Sequence, residues 1–179
     1  LGGRLDSITA MNASGLIITP ISIDHIPLLG NTLSMIAKEK AGAISKHNKW
    51  IISSKQSHSV QLILNQKAQT HTLKIKYIKN NFKLFKNQDV CKYLPGKHQI
   101  MNAHLAYLGV KYITILFNKP ATSIKKHILN TYWPGRIQKI QSKPDIFFDV
   151  AHNSSGIKAF YTFFQNNNNN YAHKYLVVG

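Results

Sequence analysis

The run Leu16-Ile17-Ile18-Thr19-Pro20-Ile21-Ser22-Ile23 limits the possible folds more than any other stretch. Its apolar, β-branched residues are near-continuous rather than confined to alternate positions. A strand with one wet face alternates, whereas a continuous run suits a strand covered on both faces, as in a parallel sheet between helices. The run is far short of the roughly 18 apolar residues that a membrane helix needs. Pro20 has no N–H to give to a ladder, so a bulge or irregular pairing is expected there. A helix signal follows. Asn31-Thr32 offers an N-cap, Leu33, Ile36, Ala37 and Lys40 recur at helical spacing, and Gly42 supplies a stop. A buried strand followed by a helix points to an α/β fold.

The middle of the chain reads differently. Trp50-Ile51-Ile52 is a short strand, and Thr70 to Ile78 alternates with period two. Asn80-Asn81 is a turn signal, with Phe82-Lys83-Leu84-Phe85 after it. Together these predict a small antiparallel hairpin layer over residues 50–93. Asn102, Leu105, Ala106 and Leu108 to Val110 fit one helix, and Thr122 to Tyr132 another. Pro134-Gly135 is a punctuator and a candidate hinge. Beyond it the pattern gives a strand near Ile137–Ile140, a turn at Lys143-Pro144, the apolar strand Ile146–Val150, a helix over Gly156–Phe164, a polar loop at Asn166–Asn170 and a strand at Tyr175–Val178. The order β-β-α-β suggests the opening of a second α/β domain, giving domains 1–133 and 134–179.

The 179 residues suffice for one core, or for one core and part of another. With 23 basic and 6 acidic residues the formal charge is +17. Such a balance raises the question of a nucleic-acid or membrane-surface partner. The lysines, however, are spread from Lys38 to Lys174 rather than gathered on one element, and an AT-rich coding bias inflates Ile, Lys and Asn alike. No nucleic-acid or membrane partner is therefore expected. A positive field would equally serve a polyanionic substrate. The single Cys91 precludes an internal disulfide and fits a cytoplasmic location. The chain opens on Leu1-Gly2-Gly3 and closes on Tyr175-Leu176-Val177-Val178-Gly179, which reads as an internal piece of a longer protein.

Three clusters carry candidate chemistry. Ile23-Asp24-His25 follows the first strand, at the sheet edge where open α/β folds bind ligands. A histidine there can coordinate a divalent ion through one nitrogen while the other is held in place; its bland reading is a structural histidine. Lys38-Glu39-Lys40-Ala41-Gly42 reads locally as a solvated helix end. Phe148-Asp149-Val150-Ala151-His152-Asn153 crowds polar groups at a strand end before a helix. An aspartate at that edge can accept from ribose hydroxyls, and a histidine at a helix start can face phosphate. The competing reading is an Asx turn with an N-cap at Asn153. No G-x-x-x-x-G-K-[ST] loop, zinc-type cysteine spacing or G-x-S-x-G elbow occurs.

Seven motifs follow one another along the chain: Leu1-Gly2-Gly3-Arg4-Leu5-Asp6; Ile21-Ser22-Ile23-Asp24-His25; Leu29-Gly30-Asn31-Thr32; Ile36-Ala37-Lys38-Glu39-Lys40-Ala41-Gly42; Gly96-Lys97-His98-Gln99-Ile100-Met101-Asn102-Ala103; Trp133-Pro134-Gly135-Arg136; and Asp149-Val150-Ala151-His152-Asn153. Taken in order, they resemble the folylpolyglutamate synthase and dihydrofolate synthase family of the Mur ligase superfamily. The resemblance implies a partial Mur ligase-like central ATPase domain followed by the start of a Rossmann-like domain. It implies ATP-dependent ligation of L-glutamate to dihydropteroate or folate through an acyl phosphate, by a monomeric enzyme using Mg²⁺. His25 would be a Mg²⁺ ligand and Lys40 a carbamylated lysine, both catalytic. Arg4 and Asp6 would lie beside the pterin-bearing substrate. Asn102, Arg136, Asp149 and His152 would contact ATP, with Asn102 at the adenine, Arg136 toward phosphate and Asp149 toward ribose. Ser7-Ile8-Thr9 departs from the family's Ala-Thr-Asn, and Ser154 stands where Pro is usual. The family's phosphate loop and a Mg²⁺-binding glutamate would precede Leu1, so the segment alone is expected to be inactive. The competing readings are a cell-wall Mur-type amino-acid ligase, an inactive remnant and, last, a basic RNA-binding module.

Overall fold

The computed structural model describes residues 7–78, 84–85, 93–120, 122–167 and 171–179. A short helix α1 (Ser7–Ala10) leads into strand β1 (Gly15–Ile18). Helices α2 (Ile26–Leu29) and α3 (Leu33–Ala41) follow, then β2 (Trp50–Ser53), α4 (His58–Gln69) and β3 (Ile75–Tyr77). The three strands form one parallel sheet in the order β1-β2-β3, with Leu16 opposite Ile51 and Ile51 opposite Ile75.

Side chains of β2 alternate between two apolar layers. Ile51 joins Ile18 of β1 and Ala37, Ala41, Val60, Leu64 and Ala68 from α3 and α4. Its neighbour Ile52, fully buried, points the other way onto Leu105 and Leu108 of helix α5 (Lys97–Leu116). The sheet is thus covered on both faces, as the apolar run at residues 16–23 predicts. Gly109 permits the close crossing of α5 over β1: a Cβ there would lie 2.5 Å from Ile17 Cδ1. The cap and the stop of α3 also match expectation, since the Thr32 side chain accepts from Met35 N and Gly42 follows the last turn.

After helix α6 (Ile124–Leu129) comes a smaller unit. Strands β4 (Gln138–Ser142) and β5 (Asp145–Phe148) pair antiparallel, with a register irregularity between Lys139 and Gln141. Helix α7 (Ser154–Asn166) lays Phe163 and Phe164 against Phe147 of β5. Lys139 Nζ and Asp145 Oδ1 pair at 2.7 Å across the hairpin, and Tyr171 donates to the same carboxylate.

Four sequence expectations need correction. The middle of the chain is not an antiparallel hairpin layer. Residues 58–69 form α4, and β3 pairs parallel with β2. Val60, Leu64 and Ala68 make a one-residue-wide buried stripe, diluted by Ser59, Gln61 and Asn65, so the helical period is faint. The Asn80-Asn81 turn and part of the expected Phe82–Phe85 strand lie outside the described residues. Strand β1 stops at Ile18 rather than reaching Ile23, because Thr19 and Ile21 bond to a side chain instead of a neighbouring strand. The first helix of the 98–133 region is longer than its periodic core and runs from Lys97 to Leu116. Tyr175–Val178 is exposed extended chain with no ladder partner among the described residues, so no fourth element of β-β-α-β forms there.

Candidate active site and metal centre

The segment between β1 and α2 is held by Gln56. Its Oε1 accepts from Ile21 N at 3.0 Å and its Nε2 donates to Thr19 O at 2.8 Å. The amide acts as a substitute peptide group on either side of Pro20, where a ladder would lack one donor. The same Nε2 reaches the hydroxyls of Ser53 and Ser54, both buried at the end of β2. The chain is thereby fixed just before Asp24 and His25.

His25 adopts φ 50° and ψ 42°, a left-handed backbone that costs a non-glycine residue roughly 1–2 kcal/mol. Asp24 Oδ1 accepts from His25 N at 2.9 Å, and the His25 carbonyl receives Leu28 N and Leu29 N as α2 begins. This local network offsets the strain and projects the imidazole from the start of the helix.

The end of β5 is built with similar economy. Asp149 Oδ2 accepts from Ile137 N at 2.7 Å and its Oδ1 from Ala151 N at 2.8 Å. Gly135 O receives Val150 N at 3.0 Å. Gly135 has φ +71°, and a Cβ there would meet Val150 Cγ1 at 2.7 Å, so both conformation and space require glycine. Ile137 is only 2% exposed and has φ 48°, unusual for a β-branched residue. Arg136 is exposed between these two fixed neighbours. The Asp149 carboxylate thus serves the Asx-turn reading, and each oxygen keeps a second lone pair with which to accept a ligand hydroxyl.

The two regions meet at Asn153. Its Oδ1 accepts from Gly156 N at 2.8 Å and caps α7, while its Nδ2 donates to Asp24 Oδ2 at 2.8 Å. His152 comes within 6.3 Å of His25, ring centre to ring centre, and His25 Nε2 lies 3.6 Å from Asp24 Oδ2. One donor atom from each of Asp24, His25 and His152 lies within 4.8 Å of the others. Burial works against ionisation of Asp24. The Asn153 hydrogen bond, the His25 backbone N–H and the charges of His25 and His152 outweigh it, and hold the carboxyl below its ordinary range.

A second group of polar residues lies at the start of α5. Loss of hydration lowers the pKa of His98; Asp149 opposes that shift and Arg136 adds to it. The motif around Gly96 and the end of β5 therefore face one another. Asn102 is exposed and donates through Nδ2 to Gln99 Oε1 at 2.8 Å. Lys40 is half-buried in the last turn of α3. Arg4 and Asp6 lie outside the described residues.

The sequence-based candidates thus fall into two connected places, His25 with His152 and Arg136 with Asp149. Asp24 and Asn153 lie within the recognised motifs, but their direct bond joins positions 129 apart and has no sequence signal. His98 carries a signal only as part of the Gly96–Ala103 motif, which by itself gives it no role. Gln56 carries no signal, since its partner Thr19 is 37 positions away. The residues suit Mg²⁺ in a limited way. Asp24 offers a hard oxygen and His25 a nitrogen, and Mg²⁺ usually completes its shell with phosphate oxygens and water.

No protein-family model matches the chain. Among curated proteins, it is 27% identical over 178 residues to a dihydrofolate synthase/folylpolyglutamate synthase of Bacillus subtilis, covering 88% of this chain and 41% of that protein. It is 32% identical over 167 residues to one from Buchnera aphidicola, covering 90% and 40%. A probable dihydrofolate synthetase of Schizosaccharomyces pombe is 31% identical over 168 residues, covering 86% and 40%. Among solved structures, a folylpolyglutamate synthase complex with AMPPCP and folate superposes with TM-score 0.81 at 25% identity, over 93% of this chain and 45% of that one. The Mycobacterium tuberculosis folylpolyglutamate synthase complexed with ADP and AMPPCP gives 0.74 at 26% identity, over 92% and 42%. The chain spans about two fifths of the length of the curated relatives it matches. By sequence and by fold, it belongs to the folylpolyglutamate synthase/dihydrofolate synthase family as a partial Mur ligase-type α/β segment.

Proposed function

We propose that the chain is part of an ATP-dependent ligase that joins L-glutamate to dihydropteroate or to a tetrahydrofolate polyglutamate. The observation that carries this reading is the meeting of Asp24-His25 with His152-Asn153, two motifs 127 or more positions apart, at one polar centre. A pterin-borne carboxylate attacks the γ-phosphate of ATP, forming an acyl phosphate and ADP. The amine of glutamate then attacks the acyl carbon, releasing phosphate and forming the amide. Relatives crystallised with AMPPCP and with folate support ATP and a folate as substrates.

The chain's residues are assigned roles on this reading. His25 is a Mg²⁺ ligand, with Asp24 beside it. When bound, Mg²⁺ neutralises charge on the transferring phosphoryl group. Arg136, presented between Gly135 and Ile137, faces phosphate. Asp149 keeps the Arg136 loop in place and offers its remaining lone pairs to ribose. His152 faces the phosphates, Asn102 the adenine, and Arg4 and Asp6 the pterin-bearing substrate. Lys40 is carbamylated and so becomes an anion near the metal. Division at about residue 133, with Pro134-Gly135 as the hinge, lets the β4–β5–α7 unit bring Arg136 and His152 onto ATP only on closure. The protein acts as a cytoplasmic monomer on small molecules. Among the described residues no helix is long and apolar enough to cross a membrane.

The test is turnover of the protein in its full coding length, native and with His25→Ala. Turnover is expected to fall at least about a hundredfold, as when a charge-stabilising group is lost from a transition state, with circular dichroism and melting little changed. Normal turnover in His25→Ala would remove the metal assignment. Nuclear magnetic resonance with labelled bicarbonate tests Lys40: a carbamate signal lost in Lys40→Ala is expected, and no signal contradicts that role.

A further inference from the structure

We propose that Ile137 is a positioning residue. Its side chain seats the β4–β5–α7 unit on Gly96, the glycine that precedes α5, and this seat fixes where Arg136 stands. The part played by Arg136 rests on the ligase reading above; the seat itself does not.

Three observations carry it. The first is burial. Helix α7 has no buried residue, and Ile137, 2% exposed, is the one buried apolar side chain among the described residues of 134–179. Part of its cover comes from across the division at residue 133. A Cβ at Gly96 would lie 3.3 Å from Ile137 Cδ1 and 2.7 Å from His98 Cε1. The tip of Ile137 therefore takes up the space that a side chain at position 96 would need. Gly96 also has φ +112°, a backbone that glycine alone adopts freely, so the turn and the seat depend on the same residue.

The second is strain. Ile137 has φ 48°, where a β-branched residue is an outlier. Such residues persist only where their surroundings over-determine them, and they cluster at functional sites. The surroundings here are specific. Asp149 Oδ2 accepts from Ile137 N at 2.7 Å, and Gln138 Oε1 accepts from Gly135 N at 2.9 Å. Glycine at position 137 would suit this backbone better. What glycine would lack is the contact with Gly96.

The third is placement. Arg136 lies between two left-handed residues, Gly135 at φ +71° and Ile137. Both neighbours are buried and Arg136 is exposed, so the direction of its side chain follows from how Ile137 is held. Gln138 braces the same bend from its other side, where its Nε2 donates to Tyr132 Oη at 3.0 Å. His98, which flanks Gly96, feels the charges of both Asp149 and Arg136. A guanidinium that acts on phosphate works only when accurately placed. Without the Ile137 side chain, Arg136 keeps its charge and loses its position.

The experiment joins kinetics with hydrogen exchange, on the protein in its full coding length. Ile137→Gly keeps the bend and removes the seat, whereas Ile137→Val removes only Cδ1. In Ile137→Gly, kcat is expected to fall about tenfold or more, with KM for L-glutamate unchanged, and Ile137→Val should lie between that and the native enzyme. In an Arg136→Ala background the same change should cost less than about twofold, because residues that act as a unit are not additive. A merely structural role would add in full. Two amides report the seat directly. Gln99 N bonds to Gly96 O at 3.0 Å and Val150 N to Gly135 O at 3.0 Å. Both should exchange faster in Ile137→Gly at unchanged circular dichroism, while amides of β2 should not. Unchanged exchange at Gln99 overturns the seat, whatever the turnover. Native turnover in Ile137→Gly, or a further loss of about tenfold in the Arg136→Ala background, overturns the positioning role. A native protein without glutamate-dependent turnover sinks the ligase reading and the part of Arg136 in it, and the exchange result still decides the seat.

Discussion

Asn153 does two things through one amide. Its oxygen ends the unsatisfied first turn of α7, and its nitrogen bridges to Asp24. Asn153→Ala removes both, and a lost cap alone costs about 0.5–2 kcal/mol. Urea unfolding should show a loss in that range, and Asn153→Ser, which can still cap but is too short to reach Asp24, should recover part of it. Full recovery by serine would mean that the bridge to Asp24 contributes nothing. His98 gives a titration at the same scale. Its folded pKa is lowered from 6.5, chiefly by desolvation. The unfolded chain therefore takes up the proton first as pH falls. The stabilisation is complete above pH 6.5 and is lost as pH falls through the folded value. The His98 ring resonances should titrate with a midpoint below 6.5, and a midpoint at or above it contradicts the desolvation of the ring.

Among the elements, the join between β1 and α2 depends on a side chain from the end of β2. Gln56→Leu would keep the volume but leave Ile21 N and Thr19 O without partners. Both bonds are part-buried, so losing them should cost about 0.5–1.5 kcal/mol each, and the chain should lose that much in urea unfolding while the parallel sheet persists. Ile52→Ala attacks the opposite layer, where Ile52 is fully buried against Leu105 and Leu108. A loss of about 2–5 kcal/mol is expected. These elements also show what the sequence carries. The Leu16–Ile18 strand, the Thr32 cap, α3, the 145–148 strand and the Asn153 cap each have a strong local cause, and each is legible. Helix α4 is not, because Val60, Leu64 and Ala68 present so narrow a stripe that β-pattern residues on either side dominate the reading. The early end of β1 is not, because it is decided by Gln56 from across the sheet. The strand expected at Tyr175–Val178 is apolar enough to be one, but a strand exists only by pairing, and no neighbour among the described residues offers a ladder.

Across the whole molecule, the polar centre is a product of tertiary folding. His25 and His152 are each legible as isolated candidates, but only packing of the β4–β5–α7 unit onto the α2 loop brings them together. Asp24 becomes a participant there, and Asn153 the fastener. On the proposed reading, the balance of 23 basic to 6 acidic residues favours the approach of phosphate-bearing substrates. The central claim is that this centre belongs to a folate–glutamate ligase. Its most direct test is ADP release by the protein in its full coding length, with ATP, Mg²⁺, L-glutamate and either dihydropteroate or tetrahydrofolate. The expected result is ADP release that requires both glutamate and one of the pterin substrates. ADP release that ignores both, or none with either substrate, would contradict it.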